Sequence, residues 1–232
     1  MINNLNPRLS IKSITKRFGN NLVLKDVNFD LFPGEVTSFI GANGAGKTTL
    51  VKILAGIHNF EEGIIKIDGV SYSPINPTDA MKKGIAIVHQ IISEGVIEDM
   101  TVYENLVIDR LCIGDSDIYF NRNKAKKDAK KIADALDLDL PLNSLTRDLS
   151  QAEKQLVAIA RSMAHNPKIL ILDEPSSSLS SKETERLFTL IEKLKRNKVS
   201  ILYISHKMAD IKRLSDKVIA LRDGTITGTF TK

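Results

Sequence analysis

The stretch Gly41-Ala42-Asn43-Gly44-Ala45-Gly46-Lys47-Thr48-Thr49 constrains this chain more than any other. It has the spacing G-x-x-x-x-G-K-[ST], follows the strand-like run Glu35 to Ile40 and opens a helix-like run from Thr48 to Ala55. In that context the glycines let the backbone curl, so that successive N–H groups and the helix N-terminus point at phosphate oxygens. Lys47 adds a mobile cation for the β and γ phosphates, and Thr48 offers a hydroxyl to a Mg²⁺ ion. A chain built around such a turn is expected to be α/β, with the turn at the end of a strand in a mostly parallel sheet.

The rest of the sequence fits that expectation. Leu9 to Ile11 and Val27 to Leu31 alternate as strands, and Pro33-Gly34 turns into Glu35 to Ile40. Ile64 to Ile67 reads as a strand closed by Asp68-Gly69, and Ile85 to Val88 as a short buried strand. Between about residues 91 and 150 strand signals stop and helical ones replace them, in Val102 to Arg110 and Arg122 to Leu136, which suggests an inserted helical lobe within one domain spanning 1–232. A further helix, Gln151 to His165, is broken by Asn166-Pro167. Strand and helix then alternate through Lys168 to Leu172, Lys182 to Arg196 and Ser200 to Ile204, to a hairpin around Arg222-Asp223-Gly224. The expected architecture is a phosphate-loop core with a mostly parallel sheet, an N-terminal antiparallel β subdomain and the helical insertion.

Composition mainly excludes. With 42% hydrophobic and 26% charged residues over 232 positions the chain can bury a core, which argues against disorder. Its formal net charge of +5 singles out no partner. The single cysteine, Cys112, forms no internal disulfide, and the start Met1 to Pro7 lacks a signal-peptide pattern, so a reducing compartment is expected. No apolar run approaches the roughly 20 residues of a spanning helix; at a membrane, another chain would do the spanning. The basic run Arg122 to Lys131 reads as the solvated face of a helix with Ala129, Ile132, Ala133 and Leu136 on its other side, not as a nucleic-acid patch.

Ile169-Leu170-Ile171-Leu172-Asp173-Glu174 is an apolar strand ending in two carboxylates. Such a pair is costly at a buried strand end unless a cation or a reaction uses it. Next to a phosphate loop, Asp173 is expected to hold Mg²⁺, through water, and Glu174 to orient and deprotonate an attacking water.

On these motifs the chain resembles an ABC-type ATPase along nearly its whole length, which implies ATP and Mg²⁺ as ligands. The resemblance implies that Gln90, ending Ile87-Val88-His89-Gln90, contacts Mg²⁺ and senses the nucleotide. His206, in Tyr203-Ile204-Ser205-His206-Lys207, matches the family's switch histidine, which implies contact with the γ-phosphate and the water. Phe18, in Lys16-Arg17-Phe18-Gly19, stands where the family stacks an aromatic on adenine, although an aromatic at this place is equally consistent with a core position.

Two motifs depart from the family pattern. The signature, usually L-S-G-G-Q, reads Leu149-Ser150-Gln151-Ala152-Glu153. Ser150 and Glu153 also spell a helix capping box, while the family reading turns Ser150, Gln151, Ala152 and Glu153 toward ATP held by a second ATPase domain. The family's S-A-L-D loop reads Ser177-Ser178-Leu179-Ser180, and Ser180 with Glu183 makes a second capping box. With these departures the chain looks most like the first of two fused ATPase halves in ribose-, galactose- and xylose-type importers. That implies a peripheral subunit at the inner face of the cell membrane, partnered by transmembrane permease subunits and a second ATPase domain, with no nucleic acid expected. Two other classes stay open: a soluble ABC-type ATPase acting on nucleic acid or the ribosome, and a regulatory half that binds ATP with little hydrolysis.

Overall fold

The computed structural model describes residues 6–88, 95–112 and 121–232. It divides into two compact units. The first holds the chain to residue 87 together with 168–174 and 194–232, and the second holds 88–167 with 175–193.

Two sheets make up the first unit. In one, β1 (Leu9–Phe18) and β2 (Asn21–Leu31) pair antiparallel, β1 also pairs antiparallel with β4 (Glu62–Ile67), and β5 (Val70–Ser71) closes the edge, in the order β2-β1-β4-β5. This is the antiparallel subdomain expected from the alternating N-terminal pattern. The second sheet has the order β10-β9-β3-β8-β7-β6, from β3 (Val36–Ile40), β6 (Ile85–Val88), β7 (Ile169–Asp173), β8 (Ser200–Ile204), β9 (Lys217–Arg222) and β10 (Thr225–Thr231). β3 lies parallel to both β8 and β9, β7 lies parallel to β8, and only the β9–β10 hairpin is antiparallel among the pairs described.

These strands follow from their residues. β7 and β8 are apolar and buried on both faces, as interior parallel strands require. The β9–β10 hairpin turns at Asp223 and Gly224, with φ of 48° and 80°, the left-handed pair that a two-residue hairpin turn demands. Asp68-Gly69, at 49° and 79°, does the same between β4 and β5. The two-residue β5 was not legible as a strand, because so short a pairing exists only against β4.

The core of this unit fills the space between the two sheets. Phe29 of β2 and Phe39 of β3 meet edge to face with centroids 5.0 Å apart. The helix α1 (Lys47–Leu54) adds buried Leu50, Val51, Ile53 and Leu54 to the same cluster. A fully buried leucine there contributes about 2–3 kcal/mol by transfer out of water. The short α2 (Pro77–Lys82) is too brief to show a sequence period; Asn76 caps it by accepting from the Asp79 N–H at 2.8 Å, and Pro77 starts its first turn.

The second unit is helical. α3 (Val102–Cys112) buries Val102, Tyr103, Leu106 and Val107, α4 (Arg122–Ala135) buries Ala125, Ala129, Ile132 and Ala133, and α5 (Gln151–Met163) buries a stripe from Ala152 to Ala160. The lysines of α4 stand on its solvated face, as the alternation of charge and small apolar residues requires. Asn105, fully buried, ties the lobe by bonding the backbone of Ile97 twice and the Thr146 hydroxyl at 2.9 Å. Arg161 holds Asp109 through two bonds of 2.8 and 2.6 Å. The helix α6 (Ser181–Arg196) passes from the second unit back to the first, where α7 (Met208–Leu214) follows β8.

Candidate functional site

The register of the parallel strands gathers the motifs of the first unit. Phe39 of β3 stands beside Ile204 of β8, and Ile204 beside Asp173 of β7. The residues that follow this row are therefore the phosphate-loop segment from Gly41, the segment carrying His206, and Glu174. The carboxyl ends of adjacent parallel strands are where α/β sheets bind ligands.

In the loop, residues 41–44 are exposed and Ala45 and Gly46 are buried. Gly46 has φ 107°, and a Cβ there would stand 2.7 Å from a Leu24 methyl, so both backbone shape and space demand glycine. Gly41 is required by contact alone: a Cβ would stand 2.3 Å from the Leu221 carbonyl oxygen. Ala45 N–H donates to the Ala42 carbonyl and Gly224 N–H to the Ala45 carbonyl, fixing the loop against the β9–β10 turn. The Lys47 ammonium donates to the Gly41 carbonyl at 2.5 Å and the Ala42 carbonyl at 2.9 Å, so it folds over its own loop. Thr48 is exposed and Thr49 half-buried at the start of α1. Asn43 and Gly44 lie exposed at the loop's turn.

Glu174 has left-handed backbone, with φ 50°. Most other non-glycine residues in that region are Asp or Asn, whose short side chains tolerate it; a glutamate does so only where the surroundings enforce it. Its N–H continues the ladder to the Ile204 carbonyl at 2.9 Å. The side chain is 13% exposed, and its two oxygens differ. Oε1 lies 2.9 Å from His206 Nδ1, while Oε2 is buried and has no partner among the described residues. His206 is 72% exposed, and Ser205 Oγ steadies the following turn by accepting from Lys207 N–H at 3.1 Å. A buried carboxylate oxygen with an open acceptor position, beside a histidine, suits the capture of a water proton.

Asp173 is half-buried at the end of β7. Among the described residues no three His, Cys, Asp or Glu side chains form a metal cluster. Mg²⁺ asks for none, since it binds through one or two protein oxygens, substrate phosphates and water. The Thr48 hydroxyl and the Asp173 carboxylate are donors of the right hardness. Gln90 lies outside the described residues.

The signature segment belongs to the second unit. Ser150 caps α5, with Glu153 N–H donating to Ser150 Oγ at 3.2 Å, while the Ser150 N–H and hydroxyl both donate to Glu153 Oε2 at 2.8 Å. Gln151 is exposed and Ala152 buried. Ser180 repeats the device: its N–H and hydroxyl donate to Glu183 Oε2 at 2.9 and 2.7 Å. The Ser180 hydroxyl and then its N–H hold the Glu183 carboxyl below the usual carboxylate range.

Phe18 is 44% exposed at the end of β1, which removes the core alternative for this ring. One neighbour went unnoticed in the sequence: His58 meets Phe18 edge to face at 5.1 Å. No spacing links the two positions; only the return of the chain after α1 brings them together.

A family model described as ABC transporter matches residues 24–177. The ribose import ATP-binding protein RbsA of Caldanaerobacter subterraneus subsp. tengcongensis is 40% identical over 225 residues, covering 96% of this chain and 44% of that protein. RbsA of Bacillus subtilis (strain 168) is 39% identical over 222 residues, again 96% and 44%. The chain thus spans less than half the length of these relatives. Among solved structures, the ADP conformation of MJ1267, an ATP-binding cassette of an ABC transporter, superposes with a TM-score of 0.87 at 26% identity, covering 98% of this chain and 92% of that one. The dimeric structure of MJ0796, a bacterial ABC transporter cassette, gives 0.79 at 26% identity, covering 96% and 98%. Matched by its family model from β2 through the phosphate loop, the signature helix and the Asp173-Glu174 strand end, the chain belongs to the ABC transporter family, as an ATP-binding domain related to the RbsA proteins.

Proposed function

We propose that this chain binds ATP with Mg²⁺ and hydrolyses it to drive import of a sugar through transmembrane partners. The observation that carries the reading is the strand-end row: a phosphate loop, an open buried Glu174 oxygen and His206 follow neighbouring positions of one parallel sheet.

In this reading the loop N–H groups bind the β and γ phosphates, and Lys47 exchanges the Gly41 and Ala42 carbonyls for phosphate oxygens. Phe18 stacks on the adenine. Thr48, Asp173 and Gln90 would hold Mg²⁺, which when bound neutralises charge on the transferring phosphoryl group. Glu174 Oε2 accepts a proton from water as the water oxygen bonds to the γ-phosphorus and the bond to the bridging oxygen of ADP breaks. His206 orients Glu174 through Oε1 and reaches toward the γ-phosphate.

The relatives named as ribose import proteins support a sugar as cargo. Among the described residues no helix is long and apolar enough to cross a membrane, so coupling to transport runs through permease subunits at the inner membrane face. A second ATPase domain completes the site, as the dimeric cassette suggests. The self-capped Ser150 favours a subsidiary reading, in which this half hydrolyses ATP weakly on its own.

The test is phosphate release and ATP binding measured side by side. Glu174→Gln is expected to keep binding and lose turnover; unchanged turnover removes Glu174 as the base, and absence of ATP binding by the unaltered chain overturns the reading.

A further inference from the structure

Phe18 presents much of its ring to solvent, yet two contacts hold it. His58 meets it at 5.1 Å with the rings 72° apart, and Lys16 Nζ lies 5.0 Å from its centroid. Lys16 is in turn bound to Glu61 Oε1 at 2.6 Å, Glu61 Oε2 accepts from the Arg17 N–H at 2.9 Å, and the Glu61 N–H donates to the Thr15 carbonyl at 3.0 Å. Residues 58–61 therefore brace residues 15–18 through main chain and side chains together. Burial works against the Glu61 charge, but the bonds from Lys16 and the Arg17 N–H outweigh it and hold the carboxyl below its usual range.

The brace is also tied to the phosphate end of the site. The His58 N–H donates to the Lys52 carbonyl in α1, the helix that begins at Lys47. One short helix thus carries the phosphate-binding lysine at its start, and the turn after it carries the histidine that sets the aromatic ring. An exposed aromatic would otherwise sample several rotamers and lose entropy on stacking, whereas a ring already held loses less.

We propose that His58 is a positioning residue for Phe18, setting the affinity of the site for the purine of a purine nucleoside triphosphate and leaving the affinity for its triphosphate unchanged. This rests on the nucleotide reading above. The histidine contributes by its aromatic shape, so another flat ring can replace it.

Titration calorimetry of the full chain with Mg-ATP and with Mg-tripolyphosphate tests it. The unaltered chain binds ATP the more tightly of the two. His58→Ala weakens ATP about three- to ten-fold, the range of an aromatic pair, with tripolyphosphate binding unchanged. His58→Phe restores ATP affinity to within about two-fold. Equal weakening of both ligands by His58→Ala, no weakening of ATP, or a folded His58→Phe that fails to restore it each overturns the inference. If the unaltered chain binds the two ligands equally, the inference falls while the phosphate site stands. If it binds neither, the nucleotide reading falls and takes the inference with it.

Discussion

Replacing Glu174 by glycine is expected to yield a protein that is more stable and no longer turns over ATP. At φ 50° the glutamate occupies a left-handed conformation that costs an L residue about 1–2 kcal/mol. Its Oε2, buried with no partner among the described residues, adds a desolvation cost of about 1–3 kcal/mol. Against these, glycine raises the freedom of the unfolded chain by about 0.5–1 kcal/mol. The lost bond to His206, a ring 72% exposed, is worth at most about 1 kcal/mol. The balance favours Glu174→Gly by about 1.5 kcal/mol, or about 3–6 °C in Tm for a domain of this size. Urea unfolding and calorimetry without nucleotide check it, with Glu174→Gln and Glu174→Ala alongside. Glutamine keeps the strained backbone and stays near the unaltered protein; alanine keeps the strain but loses the buried oxygen, and falls between. On the role proposed for Glu174, phosphate release drops at least about a hundred-fold in all three. A glycine variant melting at or below the unaltered protein refutes the claim that this turn stores strain for function.

Lys47→Ala removes the cation of the phosphate loop, and ATP affinity measured by titration is expected to fall about ten- to hundred-fold, while the fold is retained. Glu153→Gln in a Glu174→Gln background keeps an acceptor for Ser150 but removes a charge; sedimentation with Mg-ATP is expected to show dimerisation about ten-fold tighter, and equal dimerisation would reduce Glu153 to a helix cap. Asp68 bridges Lys168 and Arg8, and these cations outweigh the opposing effect of burial to hold its carboxyl below the usual range. A depressed carboxylate contributes stability present above its unfolded value, about 3.9, and lost as pH falls through the folded one. Asp68→Asn should therefore cost up to about 1 kcal/mol at pH 7 and markedly less near pH 3 in urea unfolding.

Much of the candidate site is legible in the sequence because its chemistry is encoded over short spans. The phosphate loop needs glycines at fixed spacing beside a strand and a helix, and Ser150–Glu153 and Ser180–Glu183 need only three-residue spacing to form their caps. The same local logic gave the helices of the second unit to within a few residues of their ends. It failed for β5, α2 and α7, each too short to show a period of its own.

What the sequence determined by itself, then, was the set of local devices: which turn has the glycine spacing of a phosphate loop, which strand ends in two carboxylates, which helices cap themselves. Tertiary structure decided how those devices meet. That Glu174 is forced left-handed, that its Oε1 takes His206 while Oε2 finds no partner among the described residues, and that Gly41 has no room for a Cβ all depend on strand order and on chain segments far apart in sequence. The physical reason is range. Hydrogen-bond caps and turn geometries are settled among neighbours along the chain, whereas burial, register and ring contacts such as Phe18 with His58 exist only once the sheets have paired and the core between them has closed.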